Sequence, residues 1–336
     1  MIKLRSWEYW PFGVIYAPVF IYWCWLSLKA RSLFFFSASN PSIENGGMLG
    51  ESKIKILNLI PEQIKPTTLY FPTNVSLGEV MREMSTCKLD FPVIAKPDIG
   101  ERGWLVKKIS SEKELSEYVN KVPVGFLIQE FLKDPLEMGV FYYRYPNEDQ
   151  GKVTSIVIKE MLTIEGDGKS TLNELILGND RAKLQWETLR LKYSNELDCV
   201  LGPGVKKELV SIGNHCLGTK FLNGNDLIND QLHKTFDVIS KTIKGFYFGR
   251  FDIRVASTKD LQEGKIKIME LNGAGAEPAH IYHPGFSLFE GIKVLLHHWK
   301  VLYEISVENH RRGVSYLSFK QGRVEYAKVQ ALNKLK

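Results

Sequence analysis

Two short stretches constrain the fold more than any other part of the chain: Arg250–Val255, RFDIRV, and Lys265–Gly273, KIKIMELNG. Both read as strands, in which successive side chains point to opposite faces. In the first, Phe251, Ile253 and Val255 share one face, and Arg250, Asp252 and Arg254 share the other. In the second, a strict period of two puts Ile266 and Ile268 on the same face as Glu270 and Asn272. The connection Ala256–Gly264 is short enough for an antiparallel hairpin, which brings Asp252 toward Glu270 and Asn272. A carboxylate on a core face needs a partner or a metal ion. Three oxygen donors on two rigid strands suit a hard cation such as Mg²⁺, which also takes waters and substrate phosphates. A polar, solvated sheet face carrying a salt bridge is the alternative reading of the same residues.

A second strand ends in a charge. Phe91–Pro97, FPVIAKP, runs apolar into Lys96, and the loop Asp98–Gly103, DIGERG, follows. Gly100 and Gly103 permit backbone angles and close approaches that other residues resist. Successive backbone N–H groups in such a turn can hold phosphate oxygens, with the lysine as a point charge; a plain hairpin is the alternative. Gly166–Thr171, GDGKST, imitates the end of a P-loop, but that pattern needs a glycine five residues before Gly168, where Thr163 stands. The stretch is read instead as a turn and a helix N-terminus over Ser170–Ile176.

The rest of the chain mixes hairpins and helices. Strands are expected at Trp104–Ile109, Gly125–Phe131, Phe141–Arg144 and Val153–Met161. Helices are expected at Val75–Cys87, from Ser111 (a capping-box pattern with Glu114) to Asn120, and at Arg181–Asn195, Leu232–Ile243 and Phe286–Glu308. Hairpins without regular βαβ alternation indicate an α+β class. With 336 residues, 44% of them hydrophobic, the chain can bury a sizeable core, read as two packed lobes. A net charge of +6 without a Lys/Arg block argues against a nucleic-acid partner. Four scattered cysteines without a C-x-x-C pair argue against a zinc or redox motif and suit a cytosolic catalytic portion. His280 and His283 alone make a poor zinc site, and His297 and His298 read as surface and core positions of a helix.

Residues 1–31 stand apart. Tyr9–Leu28 carries no charge over twenty residues, the length of a membrane span, between Lys3 and Arg5 on one side and Lys29 and Arg31 on the other. Trp7, Trp10, Trp23 and Trp25 cluster near its ends as interfacial aromatics do. The leading expectation is a membrane-spanning or membrane-embedded anchor through residues 9–28. A buried or interface-lying aromatic segment and a cleaved signal peptide are the alternatives. Residues 32–52 read as a connector, with a binding loop suggested at Asn45-Gly46-Gly47.

From Lys53 onward these pieces, in this order, resemble the ATP-grasp superfamily. FPVIAKP with its Gly loop resembles the phosphate-binding hairpin of D-alanine–D-alanine ligases, LIQEFL with Glu137-Met138-Gly139-Val140 their hinge and ribose contact, and GRFDIRV with IMELNG their magnesium site. GDGKSTLNELI is similar to a stretch of cyanophycin synthetases. The resemblance implies an ATP-grasp fold, two α+β lobes clamping ATP: a smaller lobe over residues 53–128 and a larger one over 129–336. It implies that Lys53 and Lys96 contact ATP phosphates, that the loop with Gly100 and Gly103 closes over them, and that Gln129, Glu130 and Leu132 border the adenine. It further implies that Glu137 takes the ribose and that Asp252, Glu270 and Asn272 hold two Mg²⁺ ions, with Mn²⁺ as an alternative. Arg250 is implied to steady the transferred phosphoryl group or the acyl-phosphate. The implied reaction joins a small carboxylate to a small amine through an acyl-phosphate, releasing ADP, at the cytoplasmic face of a membrane. A kinase outcome and a non-catalytic nucleotide-binding membrane module are the rival readings. Two departures from D-alanine ligases are visible: residues 1–52 stand where those enzymes have a folded domain, and DIGERG lacks their paired serines.

Overall fold

The structure, a computed structural model, describes residues 6–101 and 103–335; Lys3, Arg5 and Arg102 lie outside them. The smaller sheet is built from β1 (Thr68–Phe71), β2 (Val93–Pro97), β3 (Lys107–Ile109) and β4 (Phe126–Glu130), in the order β1-β4-β2-β3, with all pairs antiparallel. Its core face carries Val93, Ala95, Phe126 and Ile128 against two helices, Leu77–Thr86 and Glu112–Lys121. Each helix starts where a serine side chain takes an orphan N–H: Ser76 from Glu79, in a full capping box, and Ser111 from Glu114.

The larger sheet uses β5 (Leu136–Tyr143), β6 (Lys152–Glu160), β9 (Lys220–Asn223), β10 (Phe248–Val255) and β11 (Lys267–Asn272), in the order β11-β10-β5-β6-β9. A two-stranded ladder, β7 (Thr163–Glu165) with β8 (Lys206–Glu208), lies outside it. One face of the large sheet packs on the amphipathic helix Asp230–Thr242, through Met138, Val140, Phe236, Phe251 and Ile253. Ile56, Leu57 and Ile60 join this core, so the helix Lys53–Leu57 packs with the larger sheet. The long helix Leu288–Arg311 covers Phe141, Tyr143 and Phe248. The single helix expected over Arg181–Asn195 is two, Asp180–Leu184 and Trp186–Lys192, divided at Gln185. A terminal helix, Phe319–Asn333, has no counterpart among the expectations.

The N-terminal segment departs most from expectation. Among the described residues no helix is long and apolar enough to cross a membrane. The run Tyr9–Leu28 is interrupted at Tyr16, leaving Phe12–Ile15 and the 14-residue helix Ala17–Ala30. At 1.5 Å per residue that helix is about 21 Å long, short of the ~30 Å hydrocarbon core. One side of the segment is packed against protein: Ile15, at the end of the first helix, and Val19 meet Ile281 and Leu295, and Leu26 meets Val301 and Leu302. Burying such side chains contributes roughly 1.5–3 kcal/mol each.

Residues 32–52 are no loose connector either. Phe35, Ala38, Ser39 and Asn40 are fully buried. The Asn40 amide donates to the carbonyls of Gly46 and Phe248 and accepts from the N–H groups of Tyr247 and Phe248, all within 3.0 Å. The Asn45-Gly46-Gly47 turn docks on the loop after β11, with Ala274 N–H to Gly46 O at 2.9 Å and Gly275 N–H to Gly47 O at 2.8 Å. A Cβ on Gly273 would strike the Gly46 carbonyl. The turn expected to bind a ligand is filled by backbone.

Candidate active site

The carboxylate strands pair antiparallel, with Arg250 opposite Asn272 and Asp252 opposite Glu270. The ladder then slips by one residue: Ile253 faces Ile268, leaving Met269 without a partner. This β-bulge corrects the strict alternation expected from sequence. Ile266, Ile268 and Leu271 point into the core, while Glu270 and Asn272 turn to the opposite face, beside Asp252. An extra residue re-aims the side chains that follow it, which is why bulges recur beside functional sites. Glu270 therefore has no core to be buried in; it stands half-buried at the edge of the cleft.

Asp252 is the buried centre of the cluster. Its carboxylate accepts from Arg250 Nε at 2.8 Å and Nη2 at 3.1 Å, and from Asn272 Nδ2 at 3.3 Å. Lys159 Nζ lies 3.7 Å away. Burial pushes this carboxyl up, but Arg250 and Lys159 outweigh burial and hold it below the usual range. Gly139, opposite Asp252 on β5, makes the arrangement possible: a Cβ there would lie 2.8 Å from Val157, 3.0 Å from Arg250 Cδ and 3.1 Å from Asp252 Oδ1.

Glu137 lies next along the same face. Lys159 Nζ donates to it at 3.1 Å and Arg254 Nη2 at 2.9 Å, and Gly213 lies directly over it. Both oxygens of the expected ribose contact are thus engaged by cations. Lys159 was not singled out in the sequence. Burial would lower its ammonium pKa, yet Asp252 and Glu137 carry it above the ordinary value.

The smaller sheet meets this face through Lys96. Its buried Nζ donates to Gln129 Oε1 at 3.0 Å and to the carbonyl of the bulged Met269 at 3.3 Å. Gln129 donates to Thr68 Oγ1 at 2.9 Å and lies 3.4 Å from the same carbonyl. Desolvation lowers the Lys96 pKa to about 8, against the pull of Glu270. Lys53 Nζ lies 3.9 Å from Glu270 and donates to the Gly100 carbonyl at 2.6 Å. Asp98 joins the two pieces, accepting from Ile54 N–H at 2.9 Å at the start of the Lys53 helix. Gly100 and Gly103 have φ of +156° and +74°; a Cβ on Gly100 would lie 3.2 Å from the Trp104 ring, and one on Gly103 would lie 2.9 Å from Asn214 and 3.4 Å from Leu217. Gly103 and the segment 213–217 therefore lie side by side next to the cluster. Glu130 sits on the hinge edge, where its carboxylate takes Thr67 N–H at 3.2 Å, and Leu132 is buried just beyond β4.

The loop after β11 is divided in role. His280 is buried on Ser155 at 2.7 Å, and burial lowers its pKa to about 4. His283 takes Asn223 N–H at 3.1 Å. Both tie the loop to the sheet, and no group of three or more His, Cys, Asp or Glu suited to a metal occurs among the described residues. Glu277 accepts from Tyr282 at 3.0 Å and from Tyr16 of the N-terminal segment, and its backbone carbonyl accepts from Arg250 at 3.2 Å. Burial raises the Glu277 pKa to about 7.

Across the junction, Lys53, Lys96, Lys159, Arg250 and Arg254 face Glu51, Glu137, Asp252 and Glu270. Charge is nearly balanced, so a bound polyphosphate would need further cations. Asp252 and Glu270 with the Asn272 amide oxygen are the hard-oxygen groups that could hold a divalent ion there, one that keeps waters and phosphate ligands.

No family model matches the chain, and no curated protein matches it. Solved structures do, at low sequence identity. A bifunctional glutathione synthetase from Pasteurella multocida is 14% identical, with a TM-score of 0.38, over 72% of this chain and 35% of that one. The VanG D-Ala:D-Ser ligase from Enterococcus faecalis is 16% identical, with a TM-score of 0.42, over 75% of this chain and 61% of that one. A D-alanine–D-alanine ligase from Bacillus anthracis, complexed with ATP, is 13% identical, with a TM-score of 0.42, over 78% and 68%.

Proposed function

We propose that this chain is an ATP-dependent, ADP-forming carboxylate–amine ligase that works through an acyl-phosphate. One observation carries the reading. Lys96 from the smaller sheet and Lys53, whose helix packs with the larger sheet and whose ammonium bonds the Gly100 carbonyl, converge at one junction with Arg250, Asp252, Glu270 and Asn272 from the paired strands of the larger sheet.

A substrate carboxylate oxygen attacks the γ-phosphorus, and the bond to the bridging oxygen breaks to release ADP. The amine nitrogen then attacks the acyl carbon, phosphate leaves, and the nitrogen gives up its proton. Lys96 and Lys53 would hold the phosphates from one side, with the Asp98–Gly103 loop above them. Arg250, held across Gly139 by its two bonds to Asp252, would face the oxygens on which charge builds. Fixed cations aimed at developing charge are the main source of rate in such transfers. Asp252, Glu270 and Asn272 would hold Mg²⁺, two ions by the resemblance, or Mn²⁺; when bound, the metal neutralises phosphate charge.

The test is a phosphorus NMR time course of the purified chain with ATP, Mg²⁺ and pooled small metabolites, beside Glu270→Ala. ADP and inorganic phosphate formed by wild type only, and only with metabolites, support ligation. A phosphorylated metabolite in place of free phosphate makes the enzyme a kinase. Intact ATP throughout overturns both.

A further inference from the structure

We propose that the outer face of the helix Ala17–Ala30 lies in the surface of a phospholipid bilayer, with the helix axis in the membrane plane. The residues that face away from the protein are Ala17, Phe20, Ile21, Cys24, Trp25 and Leu28, spaced three and four apart along one side. None of the six carries a charge, and all six are exposed; Ile21 and Leu28 are 74% and 78% exposed. The Phe12 ring, 6.2 Å from that of Phe20, extends the apolar surface toward the N-terminus, and Val14 and Leu33 are exposed apolar residues beyond either end of the helix. A contiguous exposed apolar stripe of this kind marks a surface that is covered in use.

Three observations commit the stripe to lipid. From Tyr9 to Ile43 the chain has no acidic residue, and its two charges, Lys29 and Arg31, are basic and follow the stripe directly. Lys29 lies over the Trp25 ring at 4.5 Å, an aromatic and a cation paired at one end of an apolar face, as at a headgroup boundary. The opposite side of the helix is fixed on protein by Val19 and Leu26. An interfacial helix ordinarily sets its apolar face in the acyl boundary and a polar face in water. Here the catalytic lobe takes the place of the polar face. The helix is too short to span and is clamped along one side, so a surface position is the one open to it. On the proposed function the chain uses cytosolic ATP, and the bilayer is then met from its cytosolic face.

Sedimentation with vesicles of mixed phosphatidylcholine and phosphatidylglycerol tests this, using the full chain, and light scattering without lipid reports self-association. Wild type is expected to pellet with vesicles and to scatter as a monomer. Ile21→Asp with Leu28→Asp is expected to lower vesicle partitioning by about tenfold or more, with the melting temperature retained. If the aspartates lower the melting temperature, Ile21→Ser with Leu28→Ser gives the same comparison at milder cost. Wild type that stays in the supernatant overturns the proposal, as does a variant that pellets like wild type. A wild-type dimer that the variant turns into a monomer overturns it in favour of a second copy. ATP turnover is measured separately, so failure here leaves the ligase reading where it stands.

Discussion

The ammonium of Lys96 in the smaller sheet bonds the carbonyl of Met269 in the larger one, at 3.3 Å. That carbonyl belongs to the one residue of β11 that the ladder leaves out. The bulge thus supplies the acceptor that joins the two sheets at the candidate site.

Lys96→Ala should weaken ATP binding by about tenfold or more, the cost of losing one charge-assisted contact. Lys169→Ala should change it by less than about twofold, because Lys169 lies in an exposed turn whose N–H is held by Asp167. Calorimetric titration with ATP and Mg²⁺ compares the two. A larger effect at Lys169 would restore the P-loop reading.

Glu270→Ala should remove ATP turnover by about two orders of magnitude or more and leave the melting curve near that of wild type. Glu270 is half-buried, and among the described residues the ion pair of its carboxylate is with Lys53 at 3.9 Å. Asp252→Ala is the contrasting case: it strands Arg250 and Lys159, and breaking a buried pair costs about 3–5 kcal/mol. Thermal melts beside turnover assays separate the two residues.

Gly139→Ala should destabilise the chain by about 1–3 kcal/mol, as overpacking does, and depress turnover more than its stability loss explains. The added methyl would push on Val157, Arg250 and Asp252 together. Chemical denaturation with turnover measured on the folded fraction checks this. Wild-type turnover would show that Arg250 need not lie where β5 holds it.

Glu277 gives a pH prediction. Its folded pKa, about 7, stands above the ordinary 4.5. Between those values the folded chain holds a proton that the unfolded chain has released. The associated stability is complete below about 4.5 and is lost as pH rises through about 7. The melting temperature of wild type should therefore fall from pH 5 to pH 8 by more than that of Glu277→Gln. Parallel profiles for the two would remove this assignment.

The hairpin of β10 and β11 was legible because aromatic and β-branched residues alternate with charges at a period of two. Its sidedness was not, because a bulge adds a residue without leaving a mark in the pattern. Lys159 had a signal: the strand VTSIVIKE runs apolar into a lysine as FPVIAKP does. What made Lys96 stand out was the glycine loop after it, which Lys159 lacks. The protein neighbours of the N-terminal run are hidden for a different reason. Hydropathy records that a face avoids water, but the inner face of Ala17–Ala30 meets Leu295 and Leu302, and a protein neighbour is invisible in one segment read alone.

The N-terminal helix has a practical consequence. A membrane tail is normally handled by trimming it away or shielding it in detergent. Here a chain cut after Arg31 would lose Ile15, Val19 and Leu26 from the interior and Tyr16 from Glu277. The trimmed protein should precipitate because the core it covered has been opened, and a detergent strong enough to strip the outer stripe works beside the Tyr16–Glu277 contact.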